Sequence, residues 1–220
     1  MLINELILSQ VPILKKEDTI AEALLAFEDA KLTQLPIVEQ DKLIGLIDEE
    51  AIADVQDDLH VEATFNDLMP IYVYPEQHLL EALKKLSVEN ADLIPVIHQD
   101  TKEYMGVILL SELIKSVGIY MNATSPGAVV VLEVNPYQYS FGELCRLIET
   151  NDAFITQLNT YINKSTGMMS VSIKVNKNEV SDIVATLQRY EYQVKAYFGD
   201  EHFANELREN YEHLMNYLDI

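Results

Sequence analysis

Seven carboxylates crowd one short stretch of this chain: Asp48, Glu49, Glu50, Asp54, Asp57, Asp58 and Glu62, with no Lys or Arg among them. Such a run has three readings: a solvated helix and linker, a divalent-cation site, or a docking face for a basic partner. Its spacing is not that of a calcium-binding loop. The lone thiol, Cys145, sits in an apolar helical pattern, FGELCRLI, and reads as a packed small side chain before a nucleophile. The five histidines, at 60, 78, 98, 202 and 213, are scattered. His202 and Glu206 stand one turn apart, as do Glu209 and His213; they read as charge pairs, with metal ligation the alternative. There is no G-x-S-x-G elbow, P-loop, H-E-x-x-H, G-x-G-x-x-G or Cys-His spacing. The expectation is a protein with no catalytic residues and no metal. An enzyme whose site is assembled between domains is the alternative.

The carboxylates belong to a wider imbalance. The 220 residues carry 36 Asp+Glu against 15 Lys+Arg, a formal charge of −21. Residues 1–120 hold 23 acidic and 8 basic residues, so most of the charge lies there. Such a surface repels phosphate backbones, and no basic patch offsets it, which excludes a nucleic-acid binder. Hydrophobic residues make up 49%, enough to bury cores. The start, MLINELILSQ, has no basic region ahead of an apolar run, and no stretch approaches 18 apolar residues. A cytoplasmic protein with no membrane contact is expected. One cysteine excludes an internal disulfide.

The elements that position these residues come as a repeat. TIAEALLAFEDAKLTQLPIVEQDKLIGLIDEEAI is echoed by HLLEALKKLSVENADLIPVIHQDTKEYMGVILLSEL. Glu22-Ala23-Leu24 matches Glu81-Ala82-Leu83, Pro36 matches Pro95, and Gly45 matches Gly106. Each copy reads as a helix, a strand, a polar turn, a second strand and a closing helix. Ile20, Ala23, Leu24 and Phe27 recur at helical spacing. Thr19 with Glu22 forms a capping box. LPIVE and LIGLI form a hairpin, and DEEAIADV is the closing helix. The copies are placed at residues 1–60 and 61–120.

The LP-[IV]-V strand, the hairpin and the hydrophobic-Gly strand running into a helix resemble the CBS domain, and the pair resembles a CBS tandem, or Bateman module. The resemblance implies a pseudo-two-fold module that often dimerises, with clefts that take adenine nucleotides or related ligands. It makes Leu35, Pro36, Ile37, Gly45, Asp48, Ile94, Pro95, Val96, Gly106 and Glu112 the cleft candidates. The family's nucleotide pattern places a hydroxyl three residues after the glycine and an Asp three further on. Here those positions hold Asp48 and Ala51 in copy one, and Leu109 and Glu112 in copy two. A carboxylate at Asp48 repels phosphate, so Asp48, Ala51 and Leu109 weigh against an adenine nucleotide. The cofactor is otherwise unknown.

IYMNATSPGA (119–128) marks a boundary. Beyond it the order β-α-β-β-α-β is that of a ferredoxin-like unit with four antiparallel strands. Ser140 with Glu143 reads as another capping box. This half, placed at 127–200, resembles the ACT domain, and the combination resembles the acetoin-utilisation accessory protein family. That resemblance makes Asn135, Tyr137, Tyr139, Ser140 and Gly142 loop candidates for a small-molecule site. The alternative is that Tyr137 and Tyr139 pack at an interface. Residues 201–220 carry Phe203, Leu207, Tyr211, Leu214, Met215 and Leu218 at helical spacing, an added amphipathic helix.

The expected fold class is α+β: two CBS-type repeats, then a ferredoxin-like ACT-like domain with an extra C-terminal helix. The expected function is a regulatory or sensor protein, a homodimer whose geometry responds to a small-molecule ligand or effector protein. A ligand-free dimeric scaffold is the alternative.

Overall fold

The computed structural model describes residues 1–8 and 10–199. The helix expected at 201–220, with His202 and His213, lies outside the described residues. The chain divides into two units, Met1–Tyr120 and Met121–Ile220. The fold is α+β, two similar α/β repeats followed by a small ferredoxin-like module.

In the first unit, copy one holds α1 (Ile20–Ala30), β1 (Gln34–Glu39), β2 (Lys42–Asp48) and α2 (Glu49–Ile52). Copy two holds α3 (Leu79–Glu89), β3 (Leu93–Ile97), β4 (Tyr104–Leu109) and α4 (Leu110–Tyr120). Helix α1 starts as its sequence dictates. Thr19 accepts from the Glu22 amide, and the Glu22 carboxylate accepts from the Thr19 amide at 2.8 Å. At the matching place in copy two, His78 does this work, its Nδ1 accepting from the Leu80 amide. Both helices end on a left-handed residue, Lys31 and Asn90. Helix α2 is a single turn, shorter than the expected DEEAIADV. Asp48, Glu49 and Glu50 favour its N-terminus, but Asp54, Asp57 and Asp58 crowd its C-terminal end, where negative charge opposes the helix dipole.

The sheets are the hairpins β1-β2 and β3-β4, both antiparallel. Each gains a parallel bridge on its outer edge, Leu14 beside Ile37 and Val73 beside Val96. The copies also exchange segments. Leu8, which leads copy one, bonds in both directions to Val107 of β4; Met69, which leads copy two, bonds in both directions to Leu46 of β2. Ile3 and Leu46 accordingly lie in the same core as Val73, Leu79, Leu93 and Ile108 of copy two. The other core gathers Leu14, Ile20, Phe27, Leu35, Ile37 and Ile47. A unit of about sixty residues is marginal alone, so this shared core adds burial that neither copy has by itself. The crossing needs bare backbone. A Cβ on Gly106, whose φ is +138°, would stand 2.5 Å from the Leu8 carbonyl oxygen.

The second unit holds β5 (Val129–Val134), α5 (Phe141–Glu149), β6 (Ile155–Ile162), β7 (Met169–Val175), α6 (Ser181–Arg189) and β8 (Gln193–Phe198). The sheet order is β6-β7-β5-β8, all neighbours antiparallel. Its core joins Val130, Leu132, Ile173 and Val171 to Leu144, Leu147, Ile183 and Leu187 of the helices. One local expectation fails. Ser140 caps α5 through the Glu143 amide, but Glu143 does not complete the box: its carboxylate accepts from the Tyr192 hydroxyl at 2.7 Å. In strand β6 no residue is buried. It is an edge strand, and an irregularity between Ile155 and Gln157 breaks its alternation.

Two outcomes follow from these features. Gly106→Ala is expected to destabilise the chain by about 1–3 kcal/mol. Gly118→Ala, in α4 with nothing within 4 Å, is expected to stabilise it by about 0.5–1 kcal/mol; urea unfolding of both variants checks the opposite signs. The Thr19 amide and hydroxyl hold the Glu22 carboxyl below its ordinary value of 4.5. A lowered folded pKa stabilises above the unfolded pKa, and that contribution fades as pH falls through the folded value. The stability difference between the native chain and Glu22→Gln is therefore expected at neutral pH and to vanish on acidification below 4.5, read by thermal melts across pH.

Candidate functional site

The seam between the two copies opens into a cleft of about 480 Å³. Copy one supplies Thr33, Gln34, Asp48, Glu49 and Glu50; copy two supplies Leu83, Leu86, Ser87, Asn90, Ala91, Asp92 and Leu110. The lining has four carboxylates, an apolar floor and no basic residue. Local rules put these groups there. Thr33 and Asp92 are equivalent residues, each just ahead of its copy's first strand. Each gives its carbonyl to the start of its closing helix, Thr33 to the Glu49 amide at 2.9 Å and Asp92 to the Leu110 amide at 2.7 Å.

One polar strap ties the walls together. Gln34 is buried, 4% exposed. Its Nε2 donates to Asp48 Oδ1 at 2.7 Å, and its Oε1 accepts from the Asp92 amide at 2.9 Å. The Thr33 hydroxyl donates to Asp92 Oδ2 at 2.5 Å. A buried amide with both ends bonded is a fixed link, because breaking one end leaves a desolvated polar group. The strap joins residues 58 and 59 apart in sequence.

The sequence candidates are placed as follows. Asp48 lines the cleft. Leu35, Pro36, Ile37, Ile94, Pro95 and Val96 are buried in β1 and β3. Their sheet edges are occupied by the chain itself: the Pro36 carbonyl and Val38 amide bond to Leu14, and the Pro95 carbonyl and Ile97 amide bond to Val73. Gly45 is buried beneath Leu68, whose Cβ stands 2.8 Å from a Cβ built on it, and Gly106 beneath Leu8 and Ile7. Glu112 pairs with Lys115 at 2.6 Å, one turn along α4. Ala51 and Leu109 are half-buried. Sequence reasoning missed Thr33, Gln34, Glu49, Glu50 and Asp92 as cleft residues. One signal was present: Gln34 interrupts an apolar strand at the place where copy two has Leu93.

In the second unit, Asn135 accepts from the Tyr137 amide at 3.0 Å and caps a short turn at Pro136–Gln138. Tyr137 is fully exposed; Tyr139 packs on the core, and burial pushes its phenol up. Ser140 caps α5, and Gly142 is exposed. Of these five, Asn135 alone borders a hollow of about 470 Å³, shared with Glu133, Glu143, Tyr190 and Tyr192. Burial, reinforced by Glu143, pushes the Tyr192 phenol up to about 12. Cys145 is half-buried in α5. Among the described residues, no group of three or more His, Cys, Asp or Glu side chains is arranged to hold a metal. Among them, too, no helix is long and apolar enough to cross a membrane.

Comparison with known proteins places the repeats. The CBS domain model matches residues 3–58 and 66–118. The first unit of this chain is therefore a tandem CBS domain pair, a Bateman module. A CBS domain pair/ACT domain protein from Thermotoga maritima superposes with a TM-score of 0.51 at 16% identity, over 55% of this chain and 99% of that one. The CBS domains of a transcriptional regulator from Streptococcus pneumoniae give 0.48 at 13%, over 52% and 98%. A CBS domain-containing protein of unknown function from Bacillus anthracis gives 0.45 at 18%, over 54% and 94%. At 16% identity the likeness to the Thermotoga maritima protein is one of fold alone.

Removing the strap tests its weight. Gln34→Ala is expected to destabilise the chain by about 1–3 kcal/mol, since the Asp92 amide and Asp48 carboxylate lose their partner together; urea unfolding followed by far-ultraviolet dichroism measures it.

Proposed function

We propose that this protein is a regulatory module without catalytic activity, in which a small metabolite enters the cleft between the CBS copies and alters domain or subunit geometry. One observation supports it most: the cleft walls come from both copies and are joined by the Asp48–Gln34–Asp92 strap. A ligand there touches the link that sets the geometry of the pair, and differential binding to two arrangements is what transmits a signal. The chemistry of the lining selects the ligand. Four carboxylates without a base disfavour a polyphosphate and favour a neutral or cationic metabolite. In the same proposal the repeats run 1–60 and 61–120, residues 127–200 are an ACT-like domain of the acetoin-utilisation accessory type, and the protein is a cytoplasmic homodimer. The loop of Asn135, Tyr137, Tyr139, Ser140 and Gly142 is a second ligand region.

The ligand-free scaffold has support of its own. The β1 and β3 edges and both glycine faces are filled by the chain itself.

Calorimetric titration of the full chain with ATP, AMP, S-adenosylmethionine and amino acids separates the readings. Heat from S-adenosylmethionine or an amino acid, with ATP silent to about 1 mM, is the expected result. The double substitution Asp48→Thr with Ala51→Asp restores the family's phosphate and ribose groups. It is expected to raise ATP affinity at least about tenfold. Micromolar ATP binding by the native chain contradicts the ligand class, and silence from every compound favours the scaffold.

A further inference from the structure

The two copies of the pair share one fold, so a feature that copy two holds and copy one lacks is not required by that fold. Several such features meet at one place. Val73 and Leu14 are equivalent, each bridging the outer edge of its hairpin. Tyr72 and Tyr74 flank Val73, whereas Ile13 and Lys15 flank Leu14. On α3, Lys85 stands where α1 has Ala26. The turn between β3 and β4 is longer than that between β1 and β2. It carries Lys102, in the left-handed region at φ +61°.

These four side chains form one cluster. The Tyr72 and Tyr74 rings lie 5.6 Å apart, tilted by 60°. The Lys85 ammonium stands over the Tyr72 ring, 5.2 Å from its centre, and donates to the Tyr72 carbonyl. The Lys102 ammonium stands over the Tyr74 ring at 4.9 Å and donates to its hydroxyl at 3.1 Å. Lys102, then Tyr72, hold the Tyr74 phenol below its ordinary value, and the Lys85 charge also bears on it. The cluster is on the surface: Lys102 is exposed, and the other three are half-buried. The sequence shows no basic patch here because Lys85 and Lys102 come from different elements.

The charges in this cluster are unbalanced. The chain has 36 acidic residues against 15 basic ones. Even so, among the described residues neither ammonium is paired with a carboxylate; the ion pairs belong to Lys16, Lys115 and Lys195. Glu103, the acid beside Lys102, accepts from the Thr101 hydroxyl instead, at 2.8 Å. Two positive charges held together without a counterion attract an anion. An ammonium has three donors, so both lysines keep N–H groups to offer. Charge selects the anion. A phosphoryl group carries about −1.5 to −2 at neutral pH and presents three acceptor oxygens, which matches two ammoniums better than the single charge of a carboxylate. The charge of −21 on the chain opposes highly charged anions most, so the fit is to a small phosphoryl compound rather than a polyphosphate.

We propose that Tyr72, Tyr74, Lys85 and Lys102 form an oxyanion site on copy two, which takes the phosphoryl group of inorganic phosphate or of a small phosphomonoester. The site shares no residue with the cleft lining, so it stands apart from the cleft and its ligand.

Amide NMR of the full chain, titrated with inorganic phosphate at constant ionic strength, reads the site. Saturable shifts at Tyr72, Tyr74 and Lys102 are expected, with a dissociation constant of about 2–10 mM. Glycerol phosphate, titrated in parallel, separates the two sources: tighter binding than phosphate assigns an ester, and equal or weaker binding assigns the free ion. Lys102→Gln is expected to weaken phosphate binding at least about tenfold. Lys85→Gln is expected to do the same, and serves if the first variant does not fold. Lys115→Gln, which removes a lysine already paired with Glu112, is expected to change nothing. Acetate binding as tightly as phosphate, shifts that do not saturate by about 50 mM, or an affinity unmoved by the Lys102 and Lys85 substitutions overturns the proposal.

Discussion

The first unit depends on the reciprocal exchange of leading segments between the copies. Leu8 and Val107 bond in both directions, as do Met69 and Leu46. Each copy thereby finishes the other's sheet. Neither hairpin is stable alone, because two strands bury too little. Added segments turn each hairpin into a wider layer, and Ile3 and Leu46 pass into the core of copy two. The glycines follow from this. Gly106 and Gly45 stand where the crossing backbone or Leu68 comes within the reach of a Cβ.

The exchange brings the equivalent residues Thr33 and Asp92 together at the seam, where they bond to each other. A true two-fold would repeat the same chemistry on both sides, but the copies have diverged. Gln34, Asp48 and Glu49 correspond to Leu93, Leu109 and Leu110. Copy one thus supplies the polar wall of the cleft, while copy two supplies Leu83, Leu86 and Leu110 as its floor. The imbalance in charge becomes local and chemical at this point. Asp48 is held by Gln34 within the seam, so its carboxylate belongs to the link between the copies as well as to the lining.

The architecture was legible because it rests on local rules. Helix periodicity around Ile20, Ala23 and Phe27, the Thr19–Glu22 box, the Pro36/Pro95 and Gly45/Gly106 matches, and the β-α-β-β-α-β order all act over a few residues or repeat at a fixed interval. The seam was not legible. Thr33 meets Asp92, and Gln34 meets the Asp92 amide, only after two copies fold and cross. Leu68 over Gly45 and Leu8 over Gly106 become covers only once the leading segments cross. Glu143 shows the same limit on a smaller scale. Its spacing from Ser140 fits a capping box, but Tyr192, 49 residues on, takes its carboxylate. Residues 34 and 93 did carry a warning, a glutamine against a leucine in an apolar strand.

Native-state hydrogen exchange at four amides tests the interlocked pair most directly: Leu8, Leu46, Met69 and Val107. If the exchanged segments hold the copies as one body, all four amides open together at one free energy, and a ligand that fills the cleft raises that free energy equally at each. Opening of Leu8 and Val107 at one free energy, with Leu46 and Met69 at another and a ligand moving a single pair, would contradict it.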